Sequence, residues 1–186
     1  MKVLIADDES IIRLGLKAML TDLGHTVQMA PDGREALKLV RQSPPDLAIL
    51  DIHMPFTDGL ETAATIARIH PLPVIILTAF AERDLIERAS DLPIHGYLVK
   101  PVDENNLAAA IAVAVKRFDD LQASARRTAE LEDALETRKR VDRAKAVLIK
   151  QGLSEDQAHF EIQRRARNHN LTLRAVADDI LRRTGH

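Results

Sequence analysis

Residues 3–8 read Val-Leu-Ile-Ala-Asp-Asp, a short apolar run that ends at two acids. Three later runs end at polar residues in the same way: 47–50 before Asp51, 74–77 before Thr78, and 97–99 before Lys100. Runs of this length, rich in Leu and β-branched residues, predict strands buried on both faces of a parallel sheet. In an open α/β sheet the ligand site lies beyond the carboxyl ends of the strands. The sequence therefore predicts that three carboxylates, a hydroxyl and an ammonium group gather at one edge of one sheet.

Strand-like and helix-like stretches alternate as far as about residue 116. This alternation, with short connections, predicts a doubly wound α/β domain whose five parallel strands take the flavodoxin-like order 2-1-3-4-5. Ser10, Asp32 and Asp58 are expected to cap the first three helices. The strands are predicted near residues 2–6, 26–30, 46–50, 73–77 and 95–99, and the helices near 10–23, 33–42, 58–69, 82–91 and from 103 onward.

The composition indicates a soluble chain with one ordinary domain and a smaller module. The 186 residues include no cysteine, so neither disulfides nor thiol chemistry can contribute. Met1-Lys2 leads straight into a strand, and no apolar run approaches the ~20 residues of a membrane helix. We therefore expect a cytoplasmic protein with no membrane partner.

The net charge of −2 hides an asymmetry between the two halves of the chain. Residues 1–125 carry 12 Lys/Arg and 18 Asp/Glu, a balance of −6, whereas residues 126–186 carry 14 and 10, a balance of +4. Such a split suggests two modules with different partners, and the basic half is the candidate for binding a polyanion.

The chain after Pro101 contains neither Gly nor Pro until Gly152. Apolar or small residues recur there every three or four positions, which predicts a long helix with a heptad seam and one stammer. A parallel second copy would bury that seam, so we expect a homodimer through the long helix; the alternative is that the helix folds back within its own chain. The seam comprises Ile111, Ala114, Phe118, Leu121, Ala125, Thr128, Leu131, Leu135, Val141, Ala144 and Leu148.

Two short helices are predicted after Gly152. Ser154 and Gln157 have the spacing of a capping box, and Thr172 is placed to cap the last helix. The end of the long helix and these two helices would form a small three-helix, all-α module.

The polar residues at the strand ends suggest phosphoryl chemistry. Asp7, Asp8 and Asp51 would repel one another unless a divalent cation lay among them, and oxygen ligands suit Mg²⁺ or Mn²⁺. A carboxylate can attack phosphorus and form an acyl phosphate. Lys100 would then supply positive charge and Thr78 a hydroxyl donor, while the small Ala79 would leave room for the approaching group.

Residues 1–118 resemble the receiver domain of two-component response regulators, which has a CheY-like fold. The resemblance rests on Ile5-Ala6-Asp7-Asp8-Glu9, Asp51-Ile52-His53-Met54-Pro55 with Asp58-Gly59, Leu77-Thr78-Ala79, and Tyr97-Leu98-Val99-Lys100-Pro101.

The resemblance implies a role for each of these positions. Asp51 would be the phospho-acceptor for a sensor histidine kinase, and Thr78 and Lys100 would contact the phosphoryl group. Asp8, Asp51 and the His53 backbone carbonyl would bind Mg²⁺, and Asp7 would act through water. Tyr97 would be the switching aromatic, and the Lys100–Pro101 bond would be cis. The His53 side chain would either tune the access of water or play no part. Such a domain is not an enzyme and at most dephosphorylates itself slowly.

Residues 138–182 resemble the ANTAR domain, the RNA-binding module of transcription antitermination regulators. The resemblance rests on Arg143-Ala144-Lys145-Ala146-Val147-Leu148, Gly152-Leu153-Ser154-Glu155-Asp156-Gln157-Ala158, Ile162 with Ala166, and 173–181. It implies that the protein binds RNA hairpins.

Phe160, Arg164 and Arg167 share one face of the second helix of this module. An aromatic ring flanked by guanidinium groups could stack an unpaired RNA base; alternatively, Phe160 packs on the long helix. Five basic residues would supply phosphate contacts or form an ordinary solvated face: Lys139, Arg140, Arg143, Lys145 and Lys150.

The sequence thus predicts a receiver domain over 1–118, a coiled-coil linker over 119–137 and an ANTAR-like RNA-binding domain over 138–186. In this interpretation phosphorylation of Asp51 promotes dimerisation and hairpin binding. The alternatives are a DNA-binding transcriptional regulator and an output that acts through the coiled coil alone. A DNA-binding output is disfavoured because no tight helix-turn-helix pair with a polar recognition helix is found.

Overall fold

The computed structural model describes residues 1–79 and 92–183. Its strands are β1 Lys2–Ala6, β2 Thr26–Ala30, β3 Leu47–Asp51, β4 Val74–Thr78 and β5 Gly96–Val99. Its helices are α1 Ser10–Asp22, α2 Gly33–Gln42, α3 Gly59–Ile69, α4 Glu104–Lys150, α5 Glu155–Asn168 and α6 Leu173–Arg183. The helix predicted at 82–91 lies outside the described residues.

The five strands form one parallel sheet in the order β2-β1-β3-β4-β5, which confirms the predicted topology. All residues of β3 and β4 are buried, as their continuous apolar sequences predict. The chain divides into two compact units, Met1–Gln122 and Ala123–His186.

Apolar side chains cover both faces of the sheet in the first unit. On one face, Leu4, Leu50 and Ile76 pack with residues of α2 and α3. On the other face, alternate residues of the same strands pack with α1 and with the start of α4 around Leu107. Because successive strand residues point to opposite faces, one apolar run supplies both cores. This is the doubly wound arrangement that the sequence predicts.

The helix starts agree with the capping predictions except at the first helix. Asp32 and Asp58 accept hydrogen bonds from the backbone N–H groups of the residues three positions later, at 2.9 and 2.7 Å. Ser10 was expected to cap α1, but it is the first helical residue, and Glu9 occupies the cap position without a side-chain bond. The prediction for Ser10 is therefore wrong.

The second unit has its own small core. Ala144 and Leu148 of α4 pack with Ile162 of α5 and with Val176 and Ile180 of α6. Helix α4 ends before Gly152, whose φ of +102° suits a residue without a side chain. The capping box at the start of α5 is present in full: Ser154 Oγ accepts from the Gln157 N–H, and Gln157 Oε1 accepts from the Ser154 N–H.

No helix among the described residues is both long enough and apolar enough to cross a bilayer.

Candidate functional site

The carboxyl edge of the sheet brings the polar residues of four strands together. Ala6 pairs with Leu50, so Asp7 and Asp51, which follow them, lie at the same level on neighbouring strands. Thr78 ends β4 and Lys100 follows β5, the next two strands along the sheet. The strand order is therefore what gathers residues that are far apart in sequence.

Lys100 joins the two buried aspartates. Its Nζ lies 2.9 Å from Asp7 Oδ2 and 2.7 Å from Asp51 Oδ1. Asp7 is fully buried and Asp51 is only 6% exposed, while the lysine side chain is 22% exposed. Two carboxylates thus share one ammonium group in a largely buried site.

Burial sets the protonation chemistry of this cluster. Desolvation raises the pKa of Asp51 above its ordinary 3.8, although the hydrogen bond from Lys100 and its charge oppose that shift. Desolvation acts in the opposite direction on Lys100, but the hydrogen bonds to Asp51 and Asp7 outweigh it and raise the pKa of the ammonium group. Asp51 is therefore a carboxylate that the fold makes costly to ionise and that gains from an added cation.

Asp8 does not join the buried pair. It is exposed, whereas Asp7 is buried. Within residues 1–79 and 92–183, no three His, Cys, Asp or Glu side chains lie close enough to hold a metal together. Two carboxylates supplemented by backbone oxygen and water are nevertheless what Mg²⁺ ordinarily accepts, so the donor set at this edge fits that cation.

Four further predicted residues lie on or just after strands β3, β4 and β5. Thr78 is buried, and its hydroxyl donates to the Ala79 carbonyl at 3.1 Å, while Ala79 itself is exposed. Tyr97 is half-buried against the core that includes Leu50, and burial raises its pKa. The His53 side chain is exposed, and its backbone N–H donates to Asp51. The Lys100–Pro101 bond is cis, as expected.

Gly59 is a positioning residue that the sequence did not single out. A Cβ atom at this position would lie 2.0 Å from the Asp51 carbonyl oxygen. The first turn of α3 can therefore approach β3 closely only with glycine. The Asp58-Gly59 pair was interpreted as a helix start and as part of the receiver resemblance, although a glycine directly after a capping residue could also have indicated this close approach.

In the second unit, the side chain of Phe160 is exposed to solvent. It is 62% exposed, so the alternative that it packs on the long helix is wrong. Arg164 and Arg167 are exposed on the same face, and Arg164 pairs with Glu161 at 2.6 Å. The face is thus an aromatic ring with cations beside it.

The predicted phosphate-binding residues of α4 have different surroundings. Arg140 forms an ion pair of 2.5 Å with Asp178 of α6. The Lys145 Nζ lies 3.3 Å from a carboxylate oxygen of Asp142 and 3.6 Å from one of Glu155. Arg143 is exposed and forms neither an ion pair nor a hydrogen bond with a described side chain. Of these three, Arg143 is the most available to a ligand.

The middle of α4 exposes part of its predicted seam. Leu121, Leu131 and Leu135 are each more than half exposed. Apolar side chains at heptad spacing that remain in water are the feature that a coiled-coil partner would cover.

Comparison with known proteins agrees with both units. Residues 3–112 match the family model of the response regulator receiver domain, and residues 129–181 match that of the ANTAR domain. The transcriptional regulatory protein PdtaR of Mycobacterium tuberculosis is 44% identical over 186 residues, which covers 99% of this chain and 91% of that protein.

Solved structures of receiver domains resemble the first unit in fold. A response regulator receiver domain protein from Clostridium thermocellum is 33% identical, with a TM-score of 0.59 over 64% of this chain and 98% of its own. The chemotaxis protein CheY4 of Vibrio cholerae is 29% identical, with a TM-score of 0.57 over 61% of this chain and 97% of its own. With its receiver fold, its acidic edge and its C-terminal helical unit, the chain belongs to the response regulators that carry an ANTAR domain.

Proposed function

We propose that this regulator controls transcription antitermination by binding RNA, and that a phosphoryl group on Asp51 switches the binding on. The observation that carries the proposal is the buried pair of Asp51 and Asp7 held by Lys100. A sensor histidine kinase is the donor: an Asp51 carboxylate oxygen attacks phosphorus, a P–O bond forms, and the bond from phosphorus to the donor nitrogen breaks.

The site accommodates the charge of the product. A phosphoryl group adds about −1.5 to −2 charges, and Lys100 is already in place to contact its oxygens. Asp51, Asp8 and the His53 carbonyl are proposed to hold Mg²⁺ or Mn²⁺, with Asp7 acting through water. The exposed Asp8 would join Asp51 only when the cation is present, and the cation would then offset negative charge at this edge. The regulatory function requires no turnover, and self-dephosphorylation is at most slow.

Thr78 and Tyr97 are the proposed switch. The Thr78 hydroxyl bonds to a neighbouring backbone carbonyl, a contact that it can exchange for a phosphoryl oxygen. Movement of Thr78 toward the phosphoryl group, past the small Ala79, vacates space that the half-buried Tyr97 ring can occupy. The strand that carries Tyr97 leads within five residues into α4.

The switch is proposed to favour pairing of α4 with a second copy. The exposed leucines of its seam support this, because a parallel partner would remove them from water. A boundary near residue 118 for the receiver, a coiled-coil linker over 119–137 and an RNA-binding domain over 138–186 fit that division of roles.

Dimerisation is tested by light scattering on chromatographed protein with and without a small phospho-donor. With the phospho-donor, the measured mass of the wild type should double, whereas the mass of Asp51→Asn should stay that of the monomer. Leu131→Glu places a charge in the seam and should prevent the doubling, whereas Ala129→Glu, on an exposed part of the same helix outside the seam, should not. Equal doubling in Asp51→Asn would show that this residue is not the trigger.

RNA is the proposed ligand of the basic unit. Phe160 with Arg164 and Arg167 would stack an unpaired loop base, and Arg140, Arg143 and Lys145 would contact phosphates. Phosphorylated protein should retain folded RNA hairpins and not duplex DNA. Retention of duplex DNA alone would identify a DNA-binding regulator, and retention of neither would leave an output through the coiled coil.

A further inference from the structure

Helices α4 and α6 border a groove of about 580 Å³ in the second unit. Its lining is dominated by cations, and one of them, Arg182, was not among the RNA-binding residues expected from the sequence. A smaller groove of about 260 Å³ shares Arg143 and adds Lys150. The charged residues that line the larger groove are Lys139, Arg140, Arg143, Arg182, Glu136 and Asp178.

The two acids of the groove are already engaged. Glu136 is bonded to Lys139 at 3.1 Å, and Asp178 is bonded to Arg140 at 2.5 Å. The bond from Lys139, its charge and the charges of the neighbouring arginines together lower the pKa of Glu136. Each acid therefore balances the charge of one cation, and the groove keeps a net positive charge.

That remaining charge belongs to two guanidinium groups. Arg143 has no ion pair or hydrogen bond with any described residue. The hydrogen bond found for Arg182 runs from its Nε to the backbone carbonyl of Asp178 at 3.3 Å, which leaves its charge unbalanced. Both side chains are exposed, so a ligand reaches them without a rearrangement of the core.

We propose that this groove binds successive phosphates of the RNA backbone, with Arg143 and Arg182 as the principal contacts. The inference rests on the proposed function, because it takes RNA as the ligand and names the surface that receives the backbone. A guanidinium group presents paired N–H donors that match two phosphate oxygens, and the planar fork suits phosphate better than an ammonium group does. The exposed face of Phe160 remains for an unpaired base, so the two surfaces have different tasks.

Asp178 has a regulating position in this arrangement. Its carboxylate holds Arg140 in the absence of RNA, so an incoming phosphate must compete with it for that guanidinium group. Neutralising Asp178 should therefore strengthen binding, whereas removing Arg143 or Arg182 should weaken it. Phosphate contacts also release counterions, so each lost contact should reduce the slope of log affinity against log salt concentration by about 0.7 to 0.9.

The experiment uses the full chain treated with a phospho-donor and a fluorescent pool of RNA hairpins with a fixed stem and a randomised loop. Fluorescence anisotropy gives the affinity at several salt concentrations. Arg143→Ala and Arg182→Ala should each weaken binding by roughly fivefold at low salt and flatten the salt dependence by about one contact. Arg138→Ala is the matched control, because it removes an exposed arginine of α4 that does not line the groove.

Asp178→Asn should tighten binding by roughly threefold. Its control is Asp133→Asn, since Asp133 also forms an ion pair from α4 to α6, with Arg174, outside the groove. One result would overturn the proposal for the groove and leave the proposed function intact: hairpins are still retained, but the salt slopes of Arg143→Ala and Arg182→Ala equal that of the wild type. Failure of the wild type to retain any hairpin would instead overturn the proposed function and, with it, the groove.

Discussion

Replacing Lys100 with methionine tests the electrostatic design of the proposed phosphorylation site. The change keeps the length and the apolar stem of the side chain and removes the ammonium group. Two charge-assisted hydrogen bonds are lost, at 2.7 and 2.9 Å, and each such bond contributes about 1.5–3 kcal/mol. Two buried carboxylates are left without their partner, a change that typically costs about 3–5 kcal/mol. We therefore expect Lys100→Met to lower the free energy of unfolding of the first unit by about 4 kcal/mol.

Asp51→Asn should instead raise the free energy of unfolding of the first unit. The pKa of Asp51 is raised in the folded chain, so the fold disfavours its ionised form at neutral pH. The neutral amide removes that penalty, and Lys100 keeps its bond to Asp7. In the Asp51→Asn background only one carboxylate remains to be stranded, so Lys100→Met should cost about half as much, roughly 2 kcal/mol.

Tyrosine fluorescence measures this effect in the correct unit. Tyr97 is the single tyrosine of the chain, tryptophan is absent, and Tyr97 lies in the first unit. Urea unfolding of the four proteins, in EDTA at pH 7, gives the double-mutant cycle. Lys116→Met serves as control, because Lys116 is a surface lysine paired with Asp120. If Lys100→Met unfolds at the urea midpoint of wild type, or costs the same with and without Asp51, the paired-charge reasoning is wrong.

Three further predictions follow from single contacts. Burial and, second, the charge of Arg117 lower the pKa of His95 below 6.5, and its Nδ1 accepts the Val74 N–H at 3.1 Å, so only the neutral ring preserves this bond. The contribution of His95 to stability should be complete above about pH 7 and decline as the pH falls through 6.5, and His95→Gln should show a weaker decline in urea midpoints by tyrosine fluorescence. Gly59→Ala, whose Cβ would meet the Asp51 carbonyl, should destabilise the first unit by more than about 3 kcal/mol, while Gly15→Ala in open space within α1 should stabilise it by about 0.5–1 kcal/mol in the same assay. Ser154→Ala removes a capping box and should cost the second unit about 1 kcal/mol, measured as a lower thermal midpoint by circular dichroism, whereas Ser124→Ala in the exposed middle of α4 should not lower it.

The sequence was sufficient for the sheet because each strand is a continuous apolar run that ends at a polar residue. That pattern fixes the type of strand, and the short connections fix a parallel order. The pattern was less informative about which of two adjacent polar residues is buried. Asp7 and Asp8 are equivalent in a list of acids, but successive residues at a strand end point in different directions, so one is buried and the other is exposed.

The second unit shows a further reason why a pattern is insufficient. The basic groove depends on which turn of α4 faces α6, and the packing of Ala144 and Leu148 against Val176 determines that. Helical spacing predicts that these residues are buried, but it does not pair the helices. Arg182 therefore could not be assigned to the same groove as Arg143 before the packing was known.

The link between Lys100 and Asp7 also has a consequence for synthesis of the protein. These two residues are 93 positions apart in the chain, and β1 lies in the interior of the sheet while β5 lies at its edge. At about 5–20 residues per second, a ribosome completes β1 and β3 seconds before it releases Lys100. Until then the two aspartates lack the ammonium group that they share in the folded chain, so burying them together should be unfavourable. We therefore expect the first unit to close fully only after its last strand has been made.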